Sequence, residues 1–477
     1  MDEKKSPIKL PSTIEDCHQR IKQLVEITEV LIVRVEKLEL ENRELKERLN
    51  NNSSNSSLPS SQDFKKKKQK KTKPNTNKGG GQRGHKGHFR KLLELNDIDD
   101  LVVCRLPPRC ICGGNIQLKE DLVRHQVHEL PKVNLHVTEY QLEKGVCRCC
   151  GTNQVAALPA GVTWGITGPY LTSFMSHLTS KYKLSRRELQ EFLKEHYDFK
   201  ISLGSVFNKQ KLINNALEKP VAELLKEIKQ SSCVHMDETG HRRDGTSQWL
   251  WGIMSATTAF FSIEKSRGKK VICALMGDFN NIVTSDRYAA YNYFESDKRQ
   301  TCWAHLKRDF TKLSEKKKEI VVAPIGKELL IYQSKLFERW HNFKQGHISR
   351  EELIRETGHI RTHVGELLEQ GSYTDLKLKI ARFCKNLLEN FTALWTFIFY
   401  EGVEPTNNHA ERCLRPAVIW RKKYFGTRSN YGSEFVARTI SLITTCKLQS
   451  KNAFETLSKI VEEHFNASSL QVITQGT

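Results

Sequence analysis

No run of about 18 apolar residues, the length a bilayer-spanning helix needs, occurs in this sequence, and mean hydropathy is −0.54. A helical integral membrane protein is therefore not expected. The opening residues MDEKKSPIKLP lack a hydrophobic core behind their charges, so no secretory signal is expected either. Acids are scarce relative to bases: 55 Asp and Glu face 76 Lys and Arg in 477 residues, a formal charge of +21. That excess points to a polyanion as partner, with nucleic acid the first candidate. Composition alone fits an acidic substrate or ribosomal association equally well. Thirteen cysteines without an export signal imply a reducing cytoplasm, where clustered thiols bind metal rather than pair. The length suggests roughly two to four folded units.

Residues 14–49 repeat every seven positions. One set holds Ile14, Ile21, Thr28, Val35, Asn42 and Leu49, and the other Cys17, Leu24, Leu31, Leu38 and Leu45. β-branched residues in the first set and leucines in the second predict a parallel dimeric coiled coil over 1–50, with Asn42 fixing register. An amphipathic helix packed on its own protein is the plainer alternative. Residues 51–95 form a polar linker and a basic arm. Between Lys65 and Lys91 there are twelve Lys or Arg and no acid. Such a block serves as an arm on nucleic acid or as a solvated tail. Lys65, Lys66, Lys67, Lys68, Arg83 and Lys86 are its candidate phosphate contacts, and the glycines around His85 and His88 would admit close backbone approach. The segment GQRGHKG lacks the spacing of a phosphate-binding P-loop.

Residues 96–165 carry two cysteine clusters. Cys147-x-x-Cys150 followed by Gly151 has zinc-knuckle spacing, whereas Cys110-x-Cys112 is one residue short. The alternation between them reads as paired strands that would join the knuckles. The favoured ligand set for a structural Zn²⁺ is Cys110, Cys112, Cys147 and Cys150. Cys104, Cys149 or His125 could replace one of these, and a metal-free domain is the plainer reading. Residues 166–230 read as short helices forming a DNA-binding or connector region, with a weak helix-turn-helix likeness.

From 231 the pattern turns to strands. SSCVHMDETG reads as a first strand ending at Asp237, followed by strands over SQWLWGIMSATT and AFFSIEKSRG. Asp244 and Gly245 supply the first turn. A short helix follows, then a fourth strand ending at Asp286 and a fifth running into a helix near His305. These spans make 231–305 the first part of a core, 306–400 a helical insertion, 401–430 the returning core helix with Glu411, and 431–477 a helical tail. Asn407 or Asn408 is available to cap the helix of Glu411. The strand order is that of a ribonuclease-H-like sheet, in which acids at the ends of the first and fourth strands lie side by side. Carboxylates are hard oxygen ligands suited to Mg²⁺ or Mn²⁺, and two such ions can serve an in-line displacement at phosphorus. Glu238 should face away from Asp237, since neighbouring strand residues point oppositely. Asp278 and Asp297 sit in turn contexts. His305 suits either a phosphate contact or a structural hydrogen bond, and Arg415 suits an i,i+4 pair with Glu411.

The motifs HMDETG, SDRYAAYN, CWAHLKRDF and NNHAERCLRP…RKKYFGTRSNYGSE resemble those of the insertion-sequence-sixty-six family of bacterial DDE transposases. The likeness extends over nearly the whole chain, from a zipper start through GGQRGHKGH and the cysteine knuckles to SLITTCKLQSKNAFETLSKI. It implies that Asp237, Asp286 and Glu411 hold the catalytic metals, and that the enzyme cuts element ends and joins them to target DNA. Small accessory proteins of the element and a nucleoid-associated place in a bacterial cytoplasm are implied too. Arg412, Arg421, Lys422 and Lys423 would meet DNA phosphates beside the third acid. Arg109 stands where the family's first knuckle has a cysteine. The rivals are a non-catalytic DNA-binding regulator and a structure-specific nuclease on the same core.

Overall fold

The computed structural model describes residues 91–119, 123–316, 322–374 and 379–474, with scattered positions between 15 and 38. The basic-arm candidates Lys65, Lys66, Lys67, Lys68, Arg83 and Lys86 lie outside the described residues, as do Ile14, Cys17, Asn42, Leu45 and Leu49 of the heptads. The described positions between 15 and 38 are helical. Their apolar side chains, Ile21, Leu24, Leu31, Val35 and Leu38 among them, are exposed within this single chain. No helix among the described residues is long and apolar enough to cross a membrane.

The chain divides into two compact units, 65–138 and the remainder. In the first, Gln126 clamps Leu93 by accepting from its N–H and donating to its carbonyl, with Arg124 donating to the same oxygen. A tight turn follows Arg109, whose backbone bridges to Asn115. The described residues 123–143 contain no strand, which corrects the expectation of paired strands there. Alternation specifies a strand only when one face is buried, and Val123, Val127, Leu130 and Val137 are all exposed. What pairs instead is a short antiparallel hairpin in the second unit, β1 (Lys144–Val146) with β2 (Asn153–Val155).

The second unit continues through four helices, α1 (Pro169–Ser180), α2 (Arg186–Tyr197), α3 (Leu203–Ala216) and α4 (Glu218–Lys229). Helix α2 opens on a capping box, in which the Ser185 side chain accepts from Glu188 N–H and the Glu188 carboxylate reaches back. Met175, Leu189, Leu193 and Val206 make the core of the first three. A five-stranded sheet follows in the order β5-β4-β3-β6-β7. Its members are β3 (Cys233–Arg243), β4 (Thr246–Met254), β5 (Ala259–Glu264), β6 (Ile282–Ser285) and β7 (Arg299–Thr301). The first three pair antiparallel, while β6 runs parallel to β3 and β7 parallel to β6. Helix α5 (Lys269–Met276) connects β5 to β6. The β3–β4 turn is Asp244-Gly245 with φ of 48° and 76°, the left-handed pair that a two-residue hairpin requires.

Strand β3 does not end at Asp237 but runs six residues further, so the acid is mid-strand. Apolar alternation stops at Met236, and pairing to β4 carries the polar remainder, with His241 opposite Gln248. The two faces of the sheet have separate cores. Val234, Met236, Trp251 and Ile253 pack with α5 and Tyr291. Leu250, Met254 and Phe261 pack under helices α12 (Asn408–Tyr424), α13 (Asn430–Leu448) and α14 (Ala453–Thr474). Between β7 and α12 the chain is helical, as expected: α6 (Trp303–Ser314), α7 (Val322–Lys344), α8 (Arg350–Glu356), α9 (Gly358–Ser372), α10 (Lys379–Glu389) and α11 (Thr396–Phe399). These build a third core that takes in Trp303, Leu306 and Phe310.

Candidate active site

Side chains alternate along β3. His235, Asp237, Thr239 and His241 therefore face α12, while Met236 and Glu238 face the α5 side. Parallel pairing of β3 with β6 joins His235 to Thr284. The same offset of 49 residues (284 − 235 = 286 − 237) brings Asp286, just past the end of β6, level with Asp237. Tyr288 N–H donates to Asp286 Oδ1 at 2.8 Å and fixes its rotamer. Glu411 comes from the first turn of α12, where an acid also suits the positive end of the helix dipole.

Three contacts hold that helix start to the sheet. Asn407 Nδ2 donates to the Met236 carbonyl at 2.7 Å, its Oδ1 lies 3.1 Å from His235 Nδ1, and its backbone N–H points to Cys302 Sγ. Asn407 is the N-cap residue, but its side chain makes no cap bond. The expected cap is thus spent on the strand instead.

The electrostatics report convergence. The Asp237 carboxyl is pushed well above the usual carboxylate range, first by burial and then by the negative charges of Glu238, Asp286 and Glu411. Glu411 Oε1 sits 3.4 Å from an Arg308 nitrogen and 3.8 Å from His305 Nδ1. Burial, then the Arg308 charge, pushes the His305 imidazole down. On the opposite face Glu238 is fully enclosed and accepts from Tyr291 Oη and Arg267 Nε. Burial raises its carboxyl despite those donors. Arg267 stacks over Tyr288, 3.8 Å from the ring centroid, and reaches to 3.9 Å from Asp286 Oδ2. Two cations thus offset part of a negative cluster, with Arg308 at Glu411 and Arg267 at Asp286. Among the described residues, no group of three or more His, Cys, Asp or Glu side chains is gathered tightly enough to hold a metal ion.

Arg412 and Lys422 are exposed. Arg421 donates to Thr239 Oγ1 and to the Gly240 carbonyl, and Lys423 donates to Glu188 and to the Lys183 carbonyl, so both have internal partners. Arg415 is exposed, and the ion pairs of Glu411 run to α6. The cysteines form two local turns. In one unit Gly113 N–H bonds the Cys110 carbonyl, and hydrogen bonding from Cys112 lowers the Cys110 thiol. In the other, Gly151 N–H bonds the Cys147 carbonyl, and hydrogen bonds from Thr152 lead in lowering Cys150 to about 7. Cys104, Cys149 and His125 are exposed.

Sequence reasoning passed over Arg308 and Arg267. Arg308 follows His305 by three residues and so shares its helix face, a signal present in CWAHLKRDF. Arg267 had none, because its partners come from three separate segments.

The chain is 26% identical over 266 residues to "Uncharacterized protein y4qI" of Sinorhizobium fredii (strain NBRC 101917 / NGR234), covering 50% of this chain and 48% of that protein. It is 23% identical over 399 residues to "Uncharacterized protein y4hP" of the same organism, covering 74% and 70%. The chain thus spans about half the length of the first of these relatives. A family of unknown function (DUF6444) matches residues 5–91. The family model described as "Transposase IS66 family" matches residues 166–434, from α1 through Glu411 into α13. That is more than half of the chain, and the protein belongs to the IS66 family of transposases.

Proposed function

We propose that this protein cuts the ends of its element and joins the freed 3′-hydroxyls to target DNA, with Asp237, Asp286 and Glu411 as the catalytic carboxylates. The observation that carries the reading is the β3–β6 register that sets Asp286 level with Asp237; burial and Glu238, then Asp286 and Glu411, acids 49 and 174 residues away in sequence, raise the Asp237 carboxyl accordingly. Like charges held together, offset only in part by Arg308 and Arg267, are unfavourable for the fold and useful for binding a cation. The sheet order β5-β4-β3-β6-β7 supports a ribonuclease-H-like core. The donor chemistry suits Mg²⁺ or Mn²⁺, being hard carboxylate oxygens on β3, just past the end of β6 and on a facing helix, which an ion would have to draw closer together. A divalent ion bound there supplies activation of the attacking oxygen and stabilisation of the leaving one. Arg308 and His305 orient Glu411, Arg267 orients Asp286, and exposed Arg412 and Lys422 bind the phosphates that flank the scissile bond. No covalent protein–DNA intermediate is needed. The paired thiols at Cys110/Cys112 and Cys147/Cys150 suit Zn²⁺, and the heptad helix suits a dimer.

The test is cleavage of element-end DNA in Mg²⁺. Glu411→Gln, Asp237→Asn and Asp286→Asn keep shape and lose charge, so DNA binding should persist while cutting falls by orders of magnitude. Glu404, which pairs with Lys344 at 2.9 Å, is the control. Full activity in Glu411→Gln with none in Glu404→Gln overturns the assignment. Joining of a pre-cut 3′-hydroxyl end separates a transposase from a nuclease.

A further inference from the structure

Helix α12 ends in an unusual way. Its C-terminal residue with left-handed backbone is Phe425, at φ 59°, where glycine is the common choice because it lacks the clashing Cβ. The residue is 80% exposed. An aromatic that neither packs nor suits its backbone is a poor choice for stability alone.

The surroundings hold it there. On the helix side, Tyr424 Oη and Lys423 Nζ both donate to the Lys183 carbonyl, at 2.6 and 2.7 Å. On the other side, Thr427 N–H donates to the Arg242 carbonyl at 2.9 Å, and Asp244 N–H donates to the Thr427 carbonyl at 2.8 Å. Gly426 between them lies so close to β3 that a Cβ would meet Arg242 O at 2.1 Å. Both flanks of Phe425 are therefore anchored and its ring is turned outward. Lys422, Arg428 and Arg242 are exposed beside it, as are Lys423, which pairs with Glu188, and Asp244 on the hairpin. A second copy of this basic chain would bring like charge to the patch, whereas a nucleic acid complements it. Aromatic rings among cations are how proteins bind unpaired bases, because every base has a stacking face.

We propose that Phe425 is a base-stacking finger that takes the face of an unpaired nucleobase in the bound DNA. It lies fourteen residue steps along the helix from Glu411 (425 − 411), a span of about 21 Å. At about 3.4 Å per step the stacked base lies within roughly six steps of the phosphate at Glu411. The inference rests on DNA as the substrate and is independent of the three carboxylates.

The test uses the full chain with no Mg²⁺ or Mn²⁺ added and no chelator, so that no cleavage intervenes and any bound zinc stays, with two probes: a fully paired duplex, and the same duplex with one unpaired 5-iodouracil. Irradiation should cross-link the unpaired base to residue 425 in the wild type and in Phe425→Trp. Phe425→Gly should lose the cross-link and bind the unpaired probe about 5- to 150-fold more weakly. Its affinity for the paired duplex should stay within about twofold of wild type, by the same stacking logic. Because glycine suits the backbone, its Tm should hold or rise. Wild-type affinity of Phe425→Gly for the unpaired probe would overturn the proposal. So would an equal loss on both probes with a lower Tm, which marks a structural role, or a change in sedimentation, which marks a protein interface. Failure of the wild type to bind either DNA would instead overturn the reading on which the proposal rests.

Discussion

Asn407 offers the most direct test of how the third acid is positioned. It is 1% exposed, and its amide is the side-chain link between the start of α12 and strand β3. Asn407→Ala removes a donor from the Met236 carbonyl and the partner of His235 Nδ1, both in a site closed to water. At about 1–3 kcal/mol for each buried group left unsatisfied, the loss is about 2–6 kcal/mol, against a typical total of about 5–15 kcal/mol. Asn407→Asp keeps the volume but sets a carboxylate against the Met236 carbonyl. Burial, then His409, pushes His235 down to about 4, so that imidazole is neutral at pH 7 and offers no countercharge. The Asp variant should therefore be at least as unstable as the Ala variant at pH 7. It should recover on acidification, as the new carboxyl takes a proton to donate or His235 takes one to compensate. Urea unfolding of the three proteins between pH 7 and pH 5 reads this directly. A double cycle with His235→Ala should show coupling of about 0.5–3 kcal/mol. An Asn407→Ala cost below about 0.5 kcal/mol, or an Asp variant that does not recover, would refute the clamp.

Replacing Leu24, Leu31 and Leu38 with Ala should lower the mass of the assembly in sedimentation, because these side chains are exposed in the single chain and free to form a seam; a wild-type monomer would refute this. Metal analysis should find about one Zn²⁺ per chain, released by Cys147→Ser or Cys150→Ser; zinc-free protein with no thermal shift on chelation would refute the site. His177 is buried, and its imidazole is pushed down to about 4, first by burial and then by Lys181. The unfolded chain takes up that proton near 6.5, so stability present above 6.5 is lost as pH falls from 6.5 towards 4, by up to about 3 kcal/mol. His177→Gln should flatten that limb of the stability profile, and parallel curves would refute the assignment.

Much of the core was legible because its signals are local. Apolar alternation marks β4 and β5, and Asp244-Gly245 demands a two-residue hairpin. Helical periodicity marks the long insertion. The departures from the sequence pattern share one physical cause, which is that tertiary partners decide what local pattern cannot. Strand β3 outruns its apolar pattern because β4 pairs with its polar half. The 123–143 segment alternates without a buried face to fix it as a strand. Asn407 sits where a helix cap belongs, yet its amide meets a strand 171 residues away. Arg421 and Lys423 look like free cations on a helix, but the fold turns them onto Gly240 and Glu188. Charge is visible in sequence, and whether it is already paired is not.

The separation of 125 residues between Asp286 and Glu411 (411 − 286) would seem to leave the third acid poorly determined, since closing a long loop costs entropy. The contacts at its base remove that difficulty. Where the chain leaves β7 and where it re-enters α12 are zipped together: Trp303 N–H donates to the Pro405 carbonyl at 2.9 Å, and Asn407 N–H meets Cys302 Sγ at 3.1 Å. The last turns of the insertion are stitched to β7 and to the start of α6. Phe397 N–H donates to Gln300 Oε1, Thr396 Oγ1 to the Arg299 carbonyl, and Trp303 Nε1 to the Leu394 carbonyl. Trp303, Leu306 and Phe310, which belong to the helix bearing His305 and Arg308, are buried in the insertion's own core. The insertion is thus no removable lid. It shares its core with the helix that grips Glu411, and it returns the chain next to the point of departure. The register of Glu411 over Asp237 follows from β7 and its stitched neighbours, whatever length of chain runs between them.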